Sequence, residues 1–87
     1  PRRMGRLVLS ARGIGLMAGL DLRLASGAPA GPESVAAVKT MLQRGFILLP
    51  EGEHGEVIGF TPPLTISRAA LDRTVRTLST VLTEVAR

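Results

Sequence analysis

The 87-residue sequence contains no cysteine, no tryptophan, no tyrosine and two phenylalanines. Without cysteine there are neither disulfides nor thiolate metal sites. Without stacking aromatics beyond Phe46 and Phe60, a sheet of this chain lacks the usual platform for single-stranded RNA. Lysine is represented by Lys39 alone and histidine by His54 alone. No apolar run approaches the roughly 20 residues of a membrane span. The start, Pro-Arg-Arg-Met-Gly-Arg6, carries the charge of a signal peptide, but Arg12 interrupts the apolar run behind it. A cytoplasmic chain is the expectation. It begins with proline rather than methionine, which reads as a piece of a longer protein.

Arginine and apolar residues supply what is there. Net charge is +4, with arginines at 2, 3, 6, 12, 23, 44, 68, 73, 76 and 87. Spread over the chain and interleaved with seven acids, they make a poor electrostatic footprint for nucleic acid. Apolar residues make up 45% and mean hydropathy is +0.27. A domain this small has proportionally much surface, so such a composition predicts apolar surface left for a partner.

The glycine-rich stretch Arg12-Gly-Ile-Gly-Leu-Met-Ala-Gly-Leu-Asp-Leu-Arg-Leu24 has three readings: a phosphate-binding turn, a membrane packing motif, or part of a strand. From Gly15 onward Leu16, Ala18, Leu20, Leu22 and Leu24 alternate with Met17, Gly19, Asp21 and Arg23, the period of a half-buried strand. A dinucleotide turn needs a strand before its glycines and a helix after them; here a strand follows. The Gly15-to-Gly19 spacing also lacks the apolar 20-mer of a membrane pair. Glycines permitting a bulge or close backbone approach remain as the reading.

Residues 25–32 are a loop of small residues and prolines. A helix over 33–44 follows, with Val35, Val38, Met41 and Leu42 on its apolar face. Pro32 stands in the first turn, Glu33 at the positive end, Arg44 at the negative end and Gly45 past the end. Residues 46–49 predict a second strand, 51–55 a polar hairpin loop and 56–60 a third strand, which Thr61-Pro-Pro63 ends. Ser67 caps a long helix with Leu71, Val75, Leu78, Leu82 and Val85 facing inward. These elements predict one α+β domain over 1–87: a two-layer sandwich with a three-stranded antiparallel sheet, order 1-3-2, and two helices on one face.

Three segments, Arg12-Gly-Ile-Gly-Leu-Met-Ala-Gly-Leu-Asp21, Gln43-Arg-Gly-Phe-Ile-Leu-Leu49 and Val57 to Ile66 with Thr61-Pro-Pro-Leu-Thr-Ile66, come in this order before a terminal amphipathic helix. Together they resemble the C-terminal segment of class III pyridoxal-phosphate-dependent aminotransferases, the group of the ornithine, acetylornithine and 4-aminobutyrate enzymes. The resemblance implies a fold type I enzyme, usually a homodimer, that transfers an amino group from an amino acid or amine to a 2-oxo acid. It places the cofactor-binding groups, including the Schiff-base lysine, in a large domain outside this chain. This chain would then be the C-terminal part of the small domain, binding no pyridoxal 5'-phosphate and inactive by itself. Lys39, mid-helix, reads as an exposed helix residue.

Many members of that family carry an arginine on the third strand just before Pro-Pro-Leu, where it serves a substrate carboxylate or a paired glutamate. Here that position is Gly59, which speaks against the ornithine and 4-aminobutyrate specificities. Arg12 matches the family's Arg-Gly-x-Gly-Leu motif; a structural role and a substrate-binding role both stay open. His54 reads as a solvated turn residue, no ligand cluster predicts a metal, and Ser10 and Ser67 lack partners for nucleophilic catalysis. A stand-alone basic α/β module binding nucleic acid, or a small ligand-sensing regulatory domain, are the competing readings.

Overall fold

A computed structural model describes residues 2–14, 17–61 and 66–87, with the backbone alone for Arg12, Ile14, Met17 and Ala18. The elements run β1 (Arg2–Met4), β2 (Leu7–Ile14), β3 (Met17–Leu24), α1 (Gly31–Gln43), β4 (Leu49–Glu51), β5 (Val57–Phe60) and α2 (Arg68–Val85). The sheet has five strands in the order β1-β2-β3-β5-β4, every neighbouring pair antiparallel. The α+β class stands, but the three-stranded sheet does not. The expected strands survive as β3, β5 and β4, in their 1-3-2 order, and β1 and β2 extend the sheet beyond them.

The added strands have a visible cause. Leu7 and Leu9 are buried, and the alternate residues Val8 and Ser10 lie on the other face. That alternation is blurred in sequence because Val8 is apolar on the wrong face and Arg2 and Arg3 suggest solvated chain. The turn from β1 to β2 uses Gly5 at φ 55, a left-handed conformation that other residues enter at a cost. Ile14 pairs with Met17, so the glycine-rich stretch joins two antiparallel strands and opens no helix; Gly15 itself lies outside the described residues.

The second expected strand is displaced. Residues 46–48 have no regular structure and β4 begins at Leu49, with Leu48 buried and Ile47 77% exposed. The apolar run 46–49 is a connector that lowers one side chain into the core.

Register puts Leu7, Leu9, Leu20, Leu22, Leu24, Ile58 and Phe60 on one sheet face. Leu7, Leu9, Leu22 and Ile58 share a single core with Ala37 and Met41 of α1 and Val81, Leu82 and Ala86 beside the end of α2. The helices therefore cover one face, as expected, and also touch each other. Ala11 and Gly13 are exposed, so the far end of the β2–β3 hairpin projects past the helix layer.

The inward faces follow apolar spacing in part: Met41 and Leu82 are buried, and Val38, Leu78 and Val85 pack against the core. In α1 the buried residues are Gly31, Ser34, Ala37 and Met41, whereas Val35 and Leu42 are exposed. Small residues at steps of three and four allow close approach, and an apolar count passes over glycine and serine. The helix starts two residues earlier than expected, at Gly31, with Pro32 in the first turn; Arg44 and then Gly45, at φ 91, end it. In α2, Ser67 Oγ accepts from Ala70 N at 3.1 Å, as a cap should. Val75 is 58% exposed, and Thr74 and Val81 are buried with Leu82.

Two substitutions test this packing. A Cβ on Gly5 would run into the carbonyl of Ala86 from a left-handed backbone, so Gly5→Ala should cost about 2 kcal/mol or more in urea denaturation. Ser34 Oγ is buried without a hydrogen-bond partner. Ser34→Ala should raise stability by about 1 kcal/mol, since a buried hydroxyl left unsatisfied costs on that order.

Candidate functional site

The sheet face opposite the helices holds the two residues that sequence reasoning marks, Arg12 and Gly59. Arg12 pairs with Gly19, Gly19 with Gly59, and Gly59 with Leu49, so the four form one row across β2, β3, β5 and β4. Strands lie about 4.8 Å apart, which puts the Arg12 backbone roughly 10 Å from Gly59. Between them Gly19 offers no side chain, and neither does Gly59. The middle of the row is a trough floored by backbone.

Glu51 borders that trough. It pairs with Val57 on β5 and stands diagonal to Gly59, a relation within reach of a long side chain. Its carboxylate lies over Gly59: a Cβ there would stand 2.8 Å from Glu51 Cδ and nearer still to Oε2. Gly59 has ordinary strand backbone, so the empty space above it is what lets Glu51 fold across.

The next row carries a charge cluster. Arg23 Nε donates to Asp21 Oδ1 at 3.0 Å, Nη1 donates to Gly27 O at 3.3 Å, and Nη2 lies 3.7 Å from Glu56 Oε2. Asp21 and Glu56 are both buried. Glu56 Oε1 also accepts from the backbone N–H of His54 at 3.0 Å. Backbone N–H groups of Glu56 itself and of His54 hold the Glu56 carboxyl below its ordinary pKa, against its desolvation and with help from Arg23. The hydrogen bond to Asp21 raises Arg23 in turn. A guanidinium engaged on three sides is an internal tie and does not anchor a substrate. Sequence reasoning missed this cluster, although Asp21 and Arg23, two apart on a strand, necessarily share a face.

Elsewhere Arg6 pairs with Glu33 and donates to Val85 O at 3.2 Å and Arg87 O at 3.1 Å. It borders a shallow groove of about 320 Å³ with Pro32, Ala36 and Val85. The Arg6 hydrogen bond depresses the Glu33 pKa. Arg44 lies 3.6 Å from Glu84. Among the described residues Arg6, Arg23 and Arg44 are thus paired with acids of the chain itself, which weakens a nucleic-acid reading further. Lys39 is exposed on α1, His54 is exposed in the β4–β5 turn, and Ser10 is partly buried on β2. Among the described residues no group of three His, Cys, Asp or Glu side chains could hold a metal, and no helix is long and apolar enough to cross a membrane. Pro62, Pro63 and Leu64 of the Pro-Pro-Leu motif lie outside the described residues.

No protein-family model matches the chain. It is 30% identical over 82 residues, 94% of its length, to a 2-aminoadipate transaminase of Pseudomonas putida. It is 31% identical over 92% of its length to an omega-aminotransferase of Caulobacter vibrioides. A phospholyase from Arthrobacter, solved in complex with phosphoethanolamine, superposes with a TM-score of 0.82 at 30% identity, over 92% of this chain and 19% of that one. The chain spans 19% and 17% of the lengths of the two curated relatives, under a fifth. Along nearly its whole length the chain is thus similar to a short piece of much larger aminotransferases. The likeness fits a C-terminal fragment of a class III aminotransferase.

The depressed carboxyls set an acid limit. Their folded-state pKa values lie below the ordinary glutamate value of about 4.3, so the stabilisation is complete above that value. It is lost as pH falls through the folded values. Thermal midpoints should hold steady from pH 7 to 5 and drop below pH 4, and Glu56→Gln should show a shallower acid loss than the native chain.

Proposed function

We propose that the protein to which this chain belongs is a pyridoxal-phosphate-dependent aminotransferase, transferring an amino group from an amino acid or amine to a 2-oxo acid. In that reading the chain contributes one wall of the substrate cleft through the row Arg12, Gly19 and Gly59. The observation that carries it is this row: the family's Arg-Gly-x-Gly-Leu arginine and the family's third-strand arginine position fall in one register line on the sheet face away from the helices. The aminotransferase likeness over 92–94% of the chain supports the activity. A cytoplasmic homodimer of fold type I, with the chain docked on a large cofactor domain, completes the reading and follows the family resemblance.

Pyridoxal phosphate supplies the electron sink of such a reaction when bound. The described residues do not form a place for it. Lys39 is exposed midway along α1, and the groove beside Arg6 has its guanidinium engaged by Glu33 and the carbonyls at the end of α2. What this chain supplies instead is shape and charge at a wall: a side-chain-free floor, and no third-strand guanidinium for a substrate carboxylate.

The phospholyase likeness makes phosphate elimination the second reading. Full-length protein assayed with amino donors and with phosphoethanolamine separates the two. Transamination without phosphate release is the expected outcome; phosphate release without transamination would replace the first reading with the second.

Two variants of the full-length enzyme locate the carboxylate anchor. If Arg12 holds it, Arg12→Lys should lower kcat/KM for carboxylated amines about tenfold and spare uncarboxylated ones, since a bidentate guanidinium contact is replaced by a point charge. Equal losses for both would make Arg12 structural. Gly59→Arg alone should gain little for carboxylates, because the new guanidinium would meet the Glu51 carboxylate before any substrate.

A further inference from the structure

Glu51 differs from the other acids on its sheet face. Glu56 is paired with Arg23 and the His54 N–H, and Asp21 with Arg23. Among the described residues Glu51 has no ion-pair or hydrogen-bond partner; it is exposed, with its carboxylate above Gly59. Next to it, Leu49 is 60% exposed in the same row and Val57 is half-buried in the adjoining one. The trough thus combines a backbone floor, an apolar flank and a negative charge that no described residue pairs. A methylene chain with a positive terminus matches all three, and a carboxylate terminus would meet Glu51 as a like charge.

We propose that Glu51 is a specificity-determining residue of the substrate wall, selecting aliphatic diamines over amino donors that end in a carboxylate. This rests on the reading of the row as part of an aminotransferase's substrate cleft. The absent arginine at Gly59 then has a positive consequence. Glycine there removes the guanidinium and also opens the space through which the Glu51 carboxylate reaches the trough. One sequence position reverses the sign of the wall.

The test is steady-state transamination by the full-length protein with 1,4-diaminobutane and 4-aminobutyrate, donors of equal length that differ at one terminus, and a 2-oxo acid acceptor. The native enzyme should prefer the diamine. Glu51→Gln should lower kcat/KM for the diamine about tenfold, equivalent to about 1.4 kcal/mol, mostly through KM, and leave that for 4-aminobutyrate equal or higher. Glu51→Asp keeps the charge but shortens its reach, and should fall between the two. Thermal midpoints matching the native protein exclude a folding effect. A diamine-to-carboxylate ratio unchanged in Glu51→Gln, in an enzyme that transaminates either donor, would overturn the inference and leave the aminotransferase reading standing. An enzyme that transaminates neither donor nor any other amine overturns that reading, and this inference with it.

Discussion

The packing of both helices against the sheet converges on one turn, Gly5 and Arg6. Gly5 brings the backbone against Ala86, leaving no room for a Cβ, and Arg6 N donates to Ala86 O at 3.2 Å. The Arg6 guanidinium then covers Val85 O, one of the last helix carbonyls that helix geometry leaves unsatisfied, and Arg87 O just beyond the helix. Its remaining arm meets Glu33 in the first turn of α1. A cation at one helix's negative end and an acid at the other's positive end both agree with the helix dipoles. The exposed ion pair contributes little free energy by itself. Its effect is geometric: the ends of two helices distant in sequence are held at one corner of the sheet, above Leu7 and next to Ala37.

With that corner fixed, the opposite end of the sheet is free to project. Ala11 and Gly13 lie beyond helix cover, and the row from Arg12 to Leu49 crosses the sheet at this end. The cluster around Arg23 stands between the anchored corner and the projecting row. It consumes the positive charge on that part of the face. The charge left to act at the row is therefore that of Glu51 and whatever Arg12 presents, although ten arginines give the chain a net charge of +4. Net charge describes this protein's surface poorly because several arginines are internal ties.

Local chemistry was legible in the sequence wherever a residue acts through its own backbone. Ser67 as cap, Gly45 after α1 and the period of two in β3 all follow from near-neighbour geometry. Long-range choices were not legible. Leu7 and Leu9 read as the tail of a charged start until β3 pairs with them, and the run 46–49 reads as a strand until α1 and β5 claim Leu48 alone. The inward face of α1 departs from the apolar pattern in part for a related reason, although Val38 and Met41 face the core as expected. Gly31, Ser34 and Ala37 are buried because they are small enough for close approach, while Val35 and Leu42 are larger than that contact admits. Hydrophobicity ranks these residues in the reverse order.

The candidate site shows the same division. Arg12 and Gly59 could be singled out one at a time by motif, but only register reveals that Gly19 lies between them and that the middle of the row has no side chains of its own. Glu51 gave no signal, since a glutamate in a Gly-rich hairpin reads as solvated turn. It acquires meaning through a diagonal contact across β4 and β5, made possible by a missing side chain on the neighbouring strand. A glycine in mid-strand is usually a local weakness, lacking a side chain to pack. Here it sets which neighbour's charge stands on the wall, so the chemistry of the position is decided by the residue that can reach it.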